Sequence, residues 1–164
     1  MSKDKKKFRP PSGFSATGEE FNHRDIELSG DARFNNCIFR DCDVYVADVR
    51  KDFKFYKCDF QDSNLFGAKP LIAGGKAKIH IGGADFKKCK IVDLKLSLSS
   101  GASFVDCTLG LVGFEKIANP TESDFESSTL KIYPQGISPS MRFQLAGTEI
   151  TLSLIHISEP TRPY

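Results

Sequence analysis

The residues best suited to metal binding or nucleophilic attack are five cysteines, Cys37, Cys42, Cys58, Cys89 and Cys107, and their spacing serves neither purpose. No Cys–x–x–Cys pair occurs, and the odd count fits no complete set of bridges. Histidine is equally sparse: neither His23 nor His80 belongs to a His–Glu–x–x–His motif, and no nucleophile elbow is present. The run Pro70–Ala77 (PLIAGGKA) approaches a phosphate-binding loop, but Pro70 replaces its first glycine and Ala77 replaces the Mg²⁺-binding hydroxyl. The sequence therefore predicts no catalytic set, no metal site and no cofactor. What remains is charge. Arg33, Lys54 and Lys78, with Lys57 nearby, form a candidate contact for an anionic partner if the fold lines them up.

The elements that would do so are written most clearly between Ala32 and Lys51, which reads in fives as ARFNN, CIFRD, CDVYV, ADVRK. Each quintet opens on a small residue (Ala32, Cys37, Cys42, Ala47) and has an apolar residue two places on (Phe34, Phe39, Val44, Val49). A period of five belongs to neither a helix nor a plain strand and calls for a repeat architecture. All five cysteines open quintets, so each is expected to act as a small apolar residue turned into the core. A Cys37–Cys58 bridge is the alternative, because the winding stacks the two one coil apart, at roughly 4.8 Å.

The pattern resembles the pentapeptide-repeat family over residues 26–150. The resemblance implies an all-β, right-handed, quadrilateral parallel β-helix of about five coils, which presents surfaces and has no chemistry of its own. On that winding, one side collects Phe34, Phe55, Ile79, Phe104 and Phe125, and the next collects Phe39, Phe60, Phe86, Leu109 and Leu130. A third side collects Val44, Leu65, Ile91 and Phe114, and Val49 centres the fourth. Arg33, Lys54 and Lys78 then fall in one outward column, while Asp43, Asp59, Asp85 and His80 face solvent. Phe53 is large where a small opener belongs and is expected to turn outward. The breaks after Leu65 and Phe114 put their loops near the fourth edge, the usual binding side of a solenoid.

Residues 1–20 are polar and basic, with Pro10, Pro11, Gly13 and Gly18, and read as a disordered arm; residues 21–150 form the repeat domain. Residues 151–164 end in a different register: Leu152–Arg162 (LSLIHISEPTR) resembles a transposase-type sequencing adaptor translated in frame. That likeness implies a non-native tail in which His156 has no role. It also implies a natural chain that runs past Ile150, so an open C-terminal coil is expected to self-associate.

Charge narrows the partner. From Arg24 to Ile150 there are 17 basic and 17 acidic residues, so the body is neutral and direct nucleic-acid binding is not expected. No apolar run approaches the ~20 residues of a membrane span, and the basic N-terminus leads into FRPPSG rather than a signal core. The expectation is a cytoplasmic, non-enzymatic scaffold that binds another protein and has no small-molecule substrate. Two other readings follow from the family likeness. One is a DNA-mimicking regulator or protector of type II topoisomerase, which the neutral body copies poorly. The other is a piece of a larger viral or secreted β-helical fibre.

Overall fold

In the computed structural model, residues 4–48, 50–68, 77–99, 102–116, 121–126, 128–137, 141–146 and 149–152 are described. Every regular element among them is a β-strand, and every strand pairing is parallel. The strands stack on three sides as a β-solenoid of about five turns, with further strands at both ends. The first side stacks Phe14–Thr17, Ala32–Asn35, Phe53–Tyr56, Ala77–Gly82 and Leu94–Leu98. The second stacks Glu20–Asn22, Ile38–Arg40, Asp59–Gln61, Asp85–Lys87 and Ser103–Val105, then continues through Thr121–Glu126 to Met141–Ala146. The third runs from Lys6–Phe8 through Arg24–Leu28, Asp43–Val46, Asn64–Gly67 and Lys90–Val92. Its upper rungs are Thr108–Gly110 of the strand Thr108–Lys116, then Thr129–Ile137 and Glu149–Leu152.

The five-residue period has a local cause. Cys37 and Phe39 point inward as alternate residues of a strand, and Asp41 then takes a left-handed conformation (φ 53°), which restarts the alternation at Cys42 and Val44. The same device recurs at Asn36, Lys57, Asp62, Lys88 and Asp106, and at His23. Asn and Asp tolerate this region better than other residues with a Cβ, which is why they recur at the quintet boundary.

Inside the second side, the Phe21, Phe39, Phe60, Phe86 and Phe104 rings form a column, with centroids 4.6–5.0 Å apart and planes within 11° of parallel. On the first side Phe34 and Phe55 stack at 5.0 Å, edge-on to the neighbouring column. The five thiols are free and buried; their S–H groups donate to backbone carbonyls, as from Cys42 to Phe21 O at 3.2 Å. Burial pushes Cys37 and Cys42 upward and Cys58 to about 12, so these thiols stay protonated.

Four expectations are corrected. First, the coil after Lys90–Val92 has no fourth side: Asp93 alone (φ 57°) turns the chain directly into Leu94–Leu98 on the first side. Val49, the expected fourth centre, lies outside the described residues, as do residues 69–76 of the glycine-rich break, residues 117–120 of the later break and residues 153–164 of the tail. Second, the register shifts after that corner. Leu94, Leu96 and Leu98 are buried over Ala77, Ile79 and Ile81, so they make a full first-side strand. Phe104 therefore joins Phe86 on the second side, Leu109 and Leu130 join Ile91 on the third, and Phe114 pairs with Leu96. Cys107 moves with them into the corner column of Cys42, Ser63, Cys89 and Ser128. Third, Phe53 is buried rather than outward, and lies in register with Ala32, whose small side chain leaves room. Fourth, residues 4–20 are built into the stack rather than forming a disordered arm. Lys6–Phe8, Phe14–Thr17 and the first residue of Glu20–Asn22 are strands, because Phe8 and Phe14 close the aromatic core from below.

Candidate functional site

The anticipated basic column is only half built. Arg33 and Lys54 are in register on the first side, but the next rung carries His80, while Lys78 pairs with Lys95 one coil higher. Gly82 sets this register: it lies over Tyr56, where a Cβ would come within 2.6 Å of the ring and 2.8 Å of Ser99 Oγ. Lys57 is exposed at the adjoining corner. Acids interleave with the bases, since Asp31 and Asp52 line the same shallow groove of about 350 Å³ as Arg33 and Lys54. Asp52 also reaches His80 Nε2 at 3.6 Å. Arg33, Lys54 and Lys78 thus do not stand in one column.

A second cluster was invisible in the sequence. Lys5, with a side chain only 7% exposed, donates to Asp43 at 3.1 Å and lies 3.3 Å from Asp41. Burial works against its ammonium, but the hydrogen bond and charge of Asp43, then of Asp41, outweigh it and raise the pKa. Asp41 is held below the usual carboxylate range by its 2.6 Å hydrogen bond with His23 and, behind it, by Lys5. Arg9 binds Glu27 at 2.9 Å, so two cations clasp the first strand to the coils above.

On the second side, the outward carboxylates Asp59 and Asp85 are paired in register. Burial, followed by the charge and hydrogen bond of Asp59, pushes Asp85 upward. A raised carboxyl favours the fold at low pH, and that contribution is lost as pH rises through its folded value. Asp85→Asn is therefore expected to raise the melting temperature at pH 7, by a margin that vanishes on acidification below the carboxylate range. Paired thermal melts at the two pH values would check this; an equal gain at both would put the cause elsewhere.

The third side carries the one large exposed apolar side chain among the described residues, Phe66 at 36%. Its ring lies 5.3 Å from Tyr45, directly below it in the ladder, and Val92 and Gly110 follow above. The parallel outward column reads Asp25, Asp43, Asn64, Lys90. Asn64 Nδ2 donates to Asp43 at 2.9 Å. Asp25, Asp43, Asn64, Phe66, Lys90 and Val92, with Lys5 and Asp41, border a groove of about 840 Å³. One sequence signal pointed there: Tyr45 and Phe66 both occupy the fourth place of a quintet, where a polar residue belongs.

Among the described residues, no group of three or more His, Cys, Asp or Glu side chains is placed to hold a metal ion, and no helix is long and apolar enough to cross a membrane. No protein-family model matches the chain, and no curated protein matches it.

Proposed function

We propose that this chain is a pentapeptide-repeat protein that catalyses nothing itself and serves, in the cytoplasm, as a rigid scaffold for another protein. The observation that carries the reading is the second side. Its strands follow one another without a bulge from Glu20–Asn22 to Ser103–Val105, backed by the phenylalanine column. The outward residues therefore stand in two fixed files: Glu20, Ile38, Asp59, Asp85 along one and Asn22, Arg40, Gln61, Lys87 along the other. A flat sheet with both charge signs at fixed places suits recognition of a complementary protein surface, where charge arrangement sets specificity. The five core thiols suit a reducing compartment. The DNA-mimic reading draws less support, because Arg40 and Lys87 stand in the file beside the acidic one, where such a surface needs negative charge.

The test is a photo-crosslinking residue placed at Gln61 on the second side and, separately, at Ser15 on the first. Irradiation in the source cells is expected to give one discrete adduct from Gln61 and none from Ser15. Arg40→Glu together with Lys87→Glu should abolish that adduct without lowering the melting temperature. No adduct from any outward position would overturn the proposal.

A further inference from the structure

The third side has a feature that a protein-binding second side does not use. Its outward apolar file falls in size from Tyr45 and Phe66 to Val92 and then Gly110, one step per rung. Among the described residues, a Cβ at Gly110 would meet nothing closer than Val92 Cγ2 at 3.9 Å. The aromatic pair thus forms a step whose floor is Val92 and Gly110. Phe66 gains little for the fold here, since its ring lies outside the core.

The polar file beside the step changes sign along its length. Lys7, Asp25 and Asp43 stand at the lower end and Lys90 stands at the upper, about three strand spacings or roughly 14 Å from Asp25, so both signs are fixed along the file. Asp43 is already engaged by Lys5 and Asn64, which leaves the Asn64 amide oxygen as an acceptor. Among the described residues, neither Asp25 nor Lys90 forms an ion pair. A polyanion would gain at Lys90 and lose at Asp25, and a polycation would do the reverse. A neutral chain of hydroxyls loses at neither, because each hydroxyl both donates and accepts. Such a chain also offers flat C–H faces, which the aromatic step can pack against.

We propose that the groove on the third side binds a neutral oligosaccharide. Its sugar faces lie against Phe66, which Tyr45 supports from below, and its hydroxyls bond to Asp25, Asn64 and Lys90. One sugar unit is close in length to one rung of the solenoid, so successive units meet successive rungs. Binding here is independent of the protein contact proposed for the second side, and either can fail alone.

The experiment applies the full chain to an array of neutral hexasaccharides: β-1,4-glucan, β-1,3-glucan, α-mannan and N-acetylglucosamine oligomers, beside sulfated and uronic-acid counterparts. Hits are then titrated calorimetrically. At least one neutral chain is expected to bind with a Kd of about 1 mM or tighter. Phe66→Ala and Lys90→Ser should each weaken it by about tenfold or more. Ser15→Ala on the first side should leave it unchanged. Raising salt from about 0.05 to about 0.5 M, which screens charge, should matter little. Phe66 is outside the core, so its alanine variant should keep the wild-type melting curve, which separates lost binding from lost fold. Failure of every neutral glycan to bind, binding indifferent to Phe66→Ala, or preference for the charged glycans would overturn the proposal.

Discussion

Phe60→Asp is expected to abolish cooperative folding. Phe60 is buried at mid-stack, with the Phe39 ring 4.6 Å below and the Phe86 ring 4.8 Å above, and Phe55 edge-on at 5.4 Å. Truncating a buried phenylalanine costs about 3–5 kcal/mol through lost contacts and the cavity left behind. A carboxylate in that place adds the desolvation of an unpaired charge. The sum rivals the whole stability of a domain, about 5–15 kcal/mol. Because each turn of a solenoid rests on its neighbours, the damage spreads up and down the column. Circular dichroism should show no cooperative melt for Phe60→Asp, whereas Phe60→Leu should retain one at a lower temperature. A Phe60→Asp protein that melts like the parent would mean that the column is not the core.

Deleting residues 1–9 is expected to give the second largest effect, about 3 kcal/mol of lost stability, together with self-association. The deletion removes Phe8, whose ring lies 5.5 Å from Phe14 and 5.8 Å from Phe21, and so uncovers the lower end of the aromatic core. It also removes Lys5 and Arg9 from Asp41, Asp43 and Glu27, and strips the strand that covers the edge of Arg24–Leu28. A bare parallel edge beside exposed phenylalanine is a template for another chain. The clasp also sets a pH window. The lowered Asp41 carboxyl stabilises the fold above its unfolded value, and that contribution is lost as pH falls through the folded one. The raised Lys5 contributes below its ordinary value of 10.5 and is lost as pH climbs through the folded value. Urea titrations should show the difference between whole and truncated chains largest near neutrality and smaller at both extremes. Light scattering on a sizing column would report the association. A truncated chain that stayed monomeric and equally stable would reduce the first strand to an accessory.

Both results depend on how far the repeat was legible. Phe39, Phe60 and Phe86, and Val44, Leu65 and Ile91, could be stacked from spacing alone, since each quintet there is bounded by a corner residue at a regular interval. Legibility first slipped at Ala77–Gly82, where Ile81 rather than Ile79 lies over Phe55, and ended at Asp93. A single left-handed aspartate closes a turn that elsewhere takes several residues, and nothing in its side chain distinguishes it from Asp62 or Asp106. The misplaced corner carried Phe104, Leu109 and Phe114 onto the wrong sides, because an error in a solenoid register propagates to every later coil. The basic column failed for a related reason. The neighbour of Lys54 is decided by where Gly82 can lie on Tyr56, a contact between residues 26 apart in sequence.

The amino-acid sequence by itself determined the period, the inward phenylalanines and cysteines, and hence a parallel solenoid. These follow from local alternation and from side-chain size, which each quintet states for itself. Tertiary structure alone decided three things: that Asp93 returns the chain directly to the first side, that the basic N-terminus is built into the stack, and that Tyr45 and Phe66 meet on one outer face. Each is a relation between different coils. Lys5 is paired because Asp41 and Asp43 come round to meet it, and no pattern within the first ten residues records where those carboxylates will be.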